Sequence, residues 1–268
     1  MEGSRFRNVL SLEMENASKH LLLHFKAVCD QHAIEYVIDG GTLIGSMLHH
    51  GRIPWDDDLD VYIRVEDRTK ALRVLNRHGH MAAAVEGGLY AKFWQRDKPA
   101  VKNATAYRWN RQWPYIDIGW LDANITHTWE LRATHAGPSK YRHHVYPRAL
   151  LFPPVLRPYG DLMLSAPRDA ERLLTGRLGP KWRETCVLAN YDHRRSRILD
   201  PSIPDADGKT LISCSKLAQW LPLVGLGPAG QETLYVHGHP VQRFDPRTGA
   251  LTRLDVESKR ERASSVSR

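Results

Sequence analysis

"GRIPWDDDLDVYI", residues 51–63, places four acidic residues within five positions at the entrance of an apolar run. The acids are Asp56, Asp57, Asp58 and Asp60. The alternation that follows predicts a β-strand, and alternate residues of a strand share a face. Asp58 and Asp60 therefore point to the same side, whereas Leu59 and Val61 point into the packed layer. Paired carboxylates on one face repel each other, so this strand predicts a bound cation.

A second acidic strand lies downstream, in "YIDIGWLD", where two isoleucines flank Asp117. Carboxylate oxygens are the ligands that Mg²⁺ and Mn²⁺ prefer. Asp58, Asp60 and Asp117 are therefore predicted to bind the metal and to be catalytic, with Asp56 as an auxiliary ligand. Three carboxylates on adjacent strands could hold two ions, which would stabilise the attacking and leaving oxygens of phosphoryl transfer.

A double glycine precedes this region. Gly40 and Gly41 end the apolar stretch "IEYVI", and a short helix can begin near Thr42. Glycines let backbone amides approach a phosphate closely, and the N-terminus of a helix adds partial positive charge. By itself the pair also fits a tight turn, and an isolated Asp-x-Asp also fits a solvated turn with Asp60 paired to an arginine. Together the two features favour a nucleotide site. Asp57, on the opposite face of the strand, is predicted to tolerate replacement.

Helical and extended patterns alternate along the first two hundred residues, which predicts an α/β fold. Apolar spacings of three and four predict helices at 8–31, 42–50, 65–79 and 165–179, the last capped by Ser165. Strands are predicted at 36–38, 59–63, 81–86, 89–94 and 115–121. Beyond residue 200, Pro and Gly are frequent and the helical pattern is weak.

The composition is that of a globular protein with a basic excess. Lys and Arg number 38 against 30 Asp and Glu, and the net charge of +8 suits either an anionic partner or a merely soluble basic protein. Cys29, Cys186 and Cys214 form no CxxC motif and allow at most one internal disulfide. The sequence shows no P-loop, GxGxxG or Ser-His-Asp arrangement.

Targeting signals are not evident in the chain as written. No segment reaches the roughly 18 apolar residues that span a bilayer, and the N-terminus lacks the apolar core of a signal peptide. The chain as written is therefore expected to be cytoplasmic. Three N-glycosylation sequons instead suit a Golgi or secretory lumen, with membrane association, if an N-terminal anchor is missing. The sequons begin at Asn16, Asn103 and Asn124.

The stretch "DGGTLIGSMLHHGRIPWDDDLDVYI", residues 39–63, closely resembles the signature of the LicD / fukutin-related family of phosphotransferases. That signature joins a GTLLG-type turn, an Arg-His helix and an IPWDDD-hydrophobic-Asp strand. "PYIDIGWLD", residues 114–122, resembles the second motif of the family, and "PRDAERLLTGRLGPKW", residues 167–182, is similar to its later helix-and-turn segment. The resemblance spans about 35–185, and the first motif is the most specific.

This resemblance implies a nucleotidyltransferase-like mixed sheet with flanking helices, plus an irregular C-terminal part. It supports a LicD-like domain over 1–200, with core motifs at 35–122. The Pro- and Gly-rich composition predicts an irregular extension over 201–252, and the charged, apolar-poor end predicts a disordered tail over 253–268. Family members transfer a phosphoalcohol, such as phosphocholine or ribitol phosphate, from a CDP-activated donor to a sugar hydroxyl of a glycan or glycoconjugate, releasing CMP. The implied cofactor is Mg²⁺ or Mn²⁺, and no nucleic-acid partner is expected.

The resemblance also implies roles for individual residues. Gly40, Gly41 and Thr42 would hold the donor phosphates. The Arg of the family's Arg-His pair is Leu48 here, although His49 is retained and is predicted to contact the donor phosphates.

Another cation would then have to meet the donor phosphate. The candidates for that contact are Arg52, Lys92 and Lys102. Lys92 fits a surface lysine equally well. Trp55 could stack on a base, although packing is favoured. The run "DHRRSR", which contains His193, fits a solvated surface or an anion contact, and its histidine has no zinc-ligand spacing.

Two other functions fit parts of this pattern. A double glycine with Asp-x-Asp is also shared by template-independent nucleotidyltransferases acting on RNA or a small molecule, although the IPWDDD stretch argues against that interpretation. A catalytically degenerate relative that binds nucleotide or glycan without turnover is the non-enzymatic alternative. The intact Asp58, Asp60 and Asp117 argue against degeneracy, and Leu48 argues mildly for it.

Overall fold

A computed structural model describes residues 5–77, 81–86, 90–96, 112–131, 145–195, 197–200, 202 and 209–254. The helices in these residues are α1 (Leu12–Gln31), α2 (Gly40–His49), α3 (Arg68–Leu75), α4 (Arg148–Leu151) and α5 (Ala170–Leu178). The strands of the N-terminal part are β1 (Tyr36–Ile38), β2 (Leu59–Arg64), β3 (Met81–Glu86), β4 (Tyr90–Gln95), β5 (Tyr115–Ala123), β6 (His127–Glu130) and β7 (Val145–Pro147). Those that follow are β8 (Val155–Tyr159), β9 (Leu162–Ala166), β10 (Thr185–Ala189), β11 (Tyr191–Asp192), β12 (Arg197–Ile198), β13 (Lys209–Ser213), β14 (Leu223–Leu226), β15 (Glu232–Val236), β16 (His239–Asp245) and β17 (Ala250–Arg253).

The central sheet is mixed, as predicted, with strand order β1-β2-β5-β4-β3 and with β6 and β7 continuing from β5. β2 and β5 run parallel, whereas β1 pairs with β2, and β4 with β5, in antiparallel fashion. The parallel pair places the starts of the two acidic strands side by side. This pairing is what brings together carboxylates that lie far apart in the sequence.

Burial follows the alternation that the sequence predicts for β5. Ile116, Ile118 and Trp120 are fully buried on one face, while Asp117 and Gly119 on the other face are partly exposed. β2 likewise buries its apolar residues and leaves Asp60 partly exposed. The core therefore lies under one face of these two strands, and their acidic residues lie on the other.

Helix α1 packs an amphipathic stripe against this core. Its buried residues are Leu21, Leu22, Phe25, Val28 and Cys29. The helix begins at Leu12 rather than at residue 8, because Ser11 Oγ accepts a hydrogen bond from the Met14 amide at 3.3 Å and so caps the first turn.

The prediction that Ser165 caps the later helix is wrong. Ser165 lies in β9, which forms an antiparallel hairpin with β8. Helix α5 begins at Ala170, where Asp169 Oδ1 accepts a hydrogen bond from the Arg172 amide at 3.0 Å. Asp169 therefore supplies the N-cap that the sequence pattern assigned to Ser165.

The C-terminal part is irregular between its strands. β10 pairs with β13, and a disulfide joins Cys186 to Cys214 across that pair, while Cys29 remains a buried free thiol. β14 to β17 form a four-stranded antiparallel sheet. The boundary predicted at residue 200 stays a prediction, although the β10–β13 pair joins segments on its two sides. The predicted tail, 253–268, lies almost wholly outside the described residues.

In the described part of the chain, no helix is both long and apolar enough to cross a membrane.

Candidate active site

The parallel pairing of β2 and β5 creates the centre of the site, because it sets Asp60 directly opposite Asp117. Asp58, at the entrance of β2, joins them. The three side chains each offer a carboxylate oxygen, and these oxygens lie within 4.8 Å of one another. The structure therefore brings together the three carboxylates that the sequence predicted as catalytic metal ligands.

A second group overlaps the first. Asp56, Asp58 and His193 also offer ligand atoms that lie within 4.8 Å of one another. His193 belongs to the turn that follows β11, and its Nε2 atom lies 3.1 Å from Asp58 Oδ2. Asp58 is therefore common to both groups, so that four carboxylates and one imidazole form a continuous set of donors that fits hard divalent cations.

The double glycine gives these carboxylates room. A Cβ atom on Gly40 would lie 2.5 Å from Asp60 Oδ2, and a Cβ on Gly41 would collide with Asp56 Oδ2. Gly40 also has φ of +50°, a conformation that favours glycine. The predicted role of the pair in holding donor phosphates stays a prediction. Its visible role is close contact between α2 and the acidic strand.

Thr42 is buried and ties the start of α2 to β2. Its Oγ1 accepts a hydrogen bond from the Asp60 amide at 2.8 Å. Asp39, at the N-cap of α2, donates its amide to the Asp60 carbonyl at 3.1 Å, and its carboxylate accepts a hydrogen bond from Arg177 at 2.6 Å. The backbone around Asp60 is therefore fixed from both sides by α2.

Burial and mutual repulsion raise the pKa values of the clustered carboxylates. Burial, followed by the nearby charges of Asp117 and Asp56, raises the pKa of Asp60 to about 8. Burial and its three acidic neighbours raise the pKa of Asp58 well above the usual range, and burial also raises that of Asp56. A divalent cation bound beside these carboxylates would favour their ionised forms.

Lys92 is placed in the site and is not a surface lysine. It lies opposite Asp117 in the β4–β5 pair, is only 5% exposed, and forms an ion pair with Asp117 Oδ1. Its Nζ atom lies 4.0 Å from the centre of the Tyr115 ring. The proposed phosphate contact of Lys92 stays a prediction, and its observed partner is the third carboxylate.

The prediction that Asp57 tolerates replacement does not fit its contacts. Asp57 Oδ1 accepts hydrogen bonds from the His193 amide at 3.2 Å and from His193 Nδ1 at 2.9 Å, and Oδ2 accepts one from the Arg194 amide at 2.9 Å. Although burial opposes it, these hydrogen bonds lower the pKa of Asp57. Asp57 therefore anchors the segment that carries His193.

Sequence reasoning missed His193 as a functional residue. It lies 136 positions from Asp57, inside a basic run that fits a solvated surface. Nothing in the residue spacing indicates its partner. Although burial works against it, the hydrogen bond with Asp57 and the nearby carboxylates raise the pKa of His193.

Arg52 is engaged within the protein. Its Nη1 atom donates to the carbonyl oxygens of Ile53, Pro54 and Asp56 at 2.9, 2.9 and 2.6 Å, and its Nη2 atom donates to Glu15 at 2.8 Å. Arg52 therefore fixes the loop that leads into the acidic strand. Its predicted contact with a donor phosphate stays a prediction.

His49 and Leu48 are buried at the end of α2. His49 Nδ1 lies 2.6 Å from the Pro222 carbonyl, and burial lowers the pKa of His49 to about 4, so its ring is neutral near pH 7. Leu48 packs in the hydrophobic core. Neither side chain therefore carries a positive charge. The predicted contact of His49 with a donor phosphate stays a prediction. Lys102, proposed for that contact beside Arg52 and Lys92, lies outside the described residues.

Trp55 is a packing residue, as favoured from the sequence. Trp55 is buried, and the centres of its ring and the Phe6 ring lie 5.0 Å apart in an edge-on arrangement. Its Nε1 atom donates a hydrogen bond to the Val187 carbonyl at 2.8 Å. Its contacts join the entrance of the acidic strand to β10.

Comparison with known families identifies the domain that carries this site. Residues 33–169 match the family model described as "LicD/FKTN/FKRP, nucleotidyltransferase domain", which is just over half of the chain. The chain belongs to the LicD family. The matched range includes α2, the acidic strand and β5, and it ends before the segment that carries His193.

Similar proteins support this membership. The chain is 38% identical over 68 residues to the lipopolysaccharide cholinephosphotransferase LicD of Haemophilus influenzae, covering 25% of this chain and 26% of that protein. It is 48% identical over 42 residues to an uncharacterised protein of Rickettsia prowazekii, covering 16% of each. The chain thus matches about a quarter or less of the length of these relatives.

Among solved structures, the chain is similar to ANT(2″)-Ia in complex with adenylyl-2″-tobramycin. The similarity covers 57% of this chain and 71% of that one, with 14% identity and a TM-score of 0.35. A similarity at this level carries no argument about function.

Proposed function

We propose that the chain is a metal-dependent phosphotransferase. It would move a phosphoalcohol, phosphocholine-like or ribitol-phosphate-like, from a CDP-activated donor to a sugar hydroxyl of a glycan or glycoconjugate, and release CMP. The observation that carries this proposal is the group formed by Asp58, Asp60 and Asp117 within a LicD-family domain. The named cholinephosphotransferase among its relatives supports a phosphorus-containing group as the one transferred.

The chain's own residues would hold and orient the reacting groups. Bound Mg²⁺ or Mn²⁺ would supply the positive charge that phosphate oxygens need during transfer. Asp58, Asp60 and Asp117 would hold that charge between β2 and β5. Lys92 would hold the Asp117 carboxylate in place through its ion pair. The N-terminus of α2, which begins at Gly40, adds partial positive charge beside Asp60.

A product assay tests this proposal. The full chain is incubated with Mn²⁺ and a panel of CDP-alcohols and nucleoside triphosphates, with simple glycans as acceptors. Release of CMP that is abolished by EDTA is the expected result. Asp60→Asn should abolish it, whereas the matched control Asp161→Asn, an exposed aspartate paired with Lys19, should retain it.

Other products would contradict the proposal. Pyrophosphate release from a nucleoside triphosphate would indicate a nucleotidyltransferase instead. Metal-dependent nucleotide binding without any product would indicate a degenerate binding relative. CMP release at an equal rate by Asp60→Asn would refute the assigned site.

A further inference from the structure

The acidic motif holds one histidine in a defined orientation. Asp57 receives hydrogen bonds from two consecutive backbone amides, those of His193 and Arg194, and from the His193 ring. Backbone amides are donors that fix the position of the turn, while the ring contact fixes the rotation of the imidazole. The imidazole held in this way also lies beside a candidate metal ligand, Asp58.

The same contact decides which ring nitrogen is free. An ionised Asp57 can only accept hydrogen bonds, so His193 Nδ1 must carry the proton of the 2.9 Å contact. In the neutral ring, Nε2 is then left with a lone pair. Nε2 lies 3.1 Å from Asp58 Oδ2. A ring nitrogen of His193 and carboxylate oxygens of Asp56 and Asp58 also lie within 4.8 Å of one another.

An imidazole that donates one N–H to a carboxylate and directs its other nitrogen at acidic side chains has the arrangement of a metal-binding histidine. Metal-ligating histidines usually donate the second N–H to a carboxylate or carbonyl, which fixes the tautomer and makes the ligand more basic. Here Asp57 is the carboxylate that accepts the second N–H of the imidazole, and Asp56 and Asp58 offer carboxylate oxygens as further ligands.

We propose that His193 is the nitrogen ligand of a second divalent ion, held with Asp56 and Asp58, and that Asp57 is its positioning residue. This inference rests on the metal dependence in the proposed function and makes it more specific. Asp58 would bridge this ion and the one held with Asp60 and Asp117. Because imidazole suits Mg²⁺ poorly, the mixed site should select Mn²⁺ over Mg²⁺, whereas the all-carboxylate site should accept either.

A merely structural clamp would have different consequences. If His193 only fixes the turn to the acidic motif, its removal would lower stability and leave metal stoichiometry unchanged. If it is a ligand, its removal would eliminate one ion and every metal–nitrogen contact at the site. The coordination sphere of the metal therefore distinguishes the two roles without any measurement of turnover.

The experiment uses the full chain with Mn²⁺ alone. Stoichiometry is measured by calorimetry, and directly bound nitrogen by pulsed electron paramagnetic resonance. Wild type should bind two ions and show nitrogen coupling. His193→Ala should bind one ion and lose the coupling. His193→Gln should give the same result, and because Gln keeps hydrogen-bonding capacity it serves as the test if the Ala variant folds poorly. The matched control is His127→Ala, an exposed histidine on β6, which should match wild type.

Asp57→Asn tests the positioning role. At saturating Mn²⁺ it should keep the nitrogen coupling, while its affinity for the second ion falls by about 10- to 100-fold, as expected for loss of an outer-shell partner. Unchanged affinity would refute the role assigned to Asp57.

The inference and the proposed function can fail separately. Wild-type protein that binds Mn²⁺ without nitrogen coupling, or His193→Ala protein that retains the coupling, overturns the inference even if CMP is released. Nitrogen coupling in a protein that releases CMP from no CDP-alcohol supports the inference and contradicts the proposed donor.

Discussion

Gly41 has no Cβ atom, and this leaves room for the Asp56 carboxylate beside α2. A Cβ at this position would collide with Asp56 Oδ2, which lies at the end of a side chain and can move aside. We therefore expect Gly41→Ala to fold, to displace the Asp56 carboxylate and to weaken Mn²⁺ binding by about tenfold or more, as expected when the groups that orient a ligand are disturbed. Calorimetric titration measures this loss. Gly176→Ala, in α5 with no atom within 4 Å of the new Cβ, is the matched control and should bind Mn²⁺ as wild type does.

The charge of Asp60 links metal binding to stability. In the metal-free protein its pKa is about 8, above the ordinary value of 3.8. Between about pH 4 and pH 8 the folded state therefore keeps a proton on Asp60 that the unfolded chain loses. The free energy of unfolding is consequently highest, with respect to this group, below about pH 4, and it falls as the pH rises toward 8. Asn cannot ionise, so Asp60→Asn should raise Tm in EDTA by a few degrees at pH 7 to 8 and by less at pH 5. Calorimetry at both pH values checks this, and a gain that is larger at pH 5 would contradict it.

At the scale of elements, a disulfide supports the site from outside it. The Cys186–Cys214 bond closes a loop of 28 residues beside the Val187 carbonyl that accepts the Trp55 hydrogen bond. Replacing both cysteines by Ser should lower the free energy of unfolding by about 3 kcal/mol. Chemical denaturation with and without reductant measures this. Reductant should destabilise wild type and leave the double variant unchanged, and an equal response of both proteins would show that the bond contributes nothing.

Elements with strong local patterns were predictable from the sequence. β1, β2 and β5 lie close to the ranges predicted from the sequence. Asp58, Asp60 and Asp117 converge through the parallel pairing of β2 with β5, which the structure shows. The prediction of Ser165 as a helix cap was wrong because the residues around it fit either a helix N-terminus or a β-strand. Pairing with β8 makes this segment the strand β9. Local patterns carry no information about such a partner.

At the scale of the molecule, the missed residues are those whose partners lie far along the chain. His193 and Asp57 meet across 136 positions, and His50 meets Glu232 across 182. Neither pair has a local pattern, because each contact exists only once the C-terminal strands fold against the LicD-family domain. The carboxylate group formed by Asp58, Asp60 and Asp117 could therefore be predicted from the sequence, whereas the histidine beside it could not.

A buried polar network joins the C-terminal sheet to α2. Glu232 Oε2, on β15, lies 2.9 Å from His50 Nε2 and accepts a hydrogen bond from Arg157 at 2.6 Å, while Gln242 lies 3.0 Å from His50 Nδ1. Although burial opposes it, the contacts with His50 and Arg157 lower the pKa of Glu232. Glu232 therefore contributes to the free energy of unfolding above the pKa of an unfolded glutamate, and this contribution is lost as the pH falls through the pKa of Glu232 in the folded protein.

Removing Glu232 tests whether the C-terminal sheet and the site form one cooperative unit. Glu232→Ala leaves Arg157 as a buried charge that has lost this partner, so the free energy of unfolding should fall by about 3–5 kcal/mol. Glu232→Gln should lose less, because its amide oxygen still accepts a hydrogen bond from Arg157. Denaturation of both variants, followed by Trp fluorescence and by Mn²⁺ release, should give one shifted transition for both signals. A C-terminal sheet that unfolds first, while Mn²⁺ release keeps its wild-type midpoint, would contradict this coupling and would instead support a separate unit at the extension predicted over 201–252.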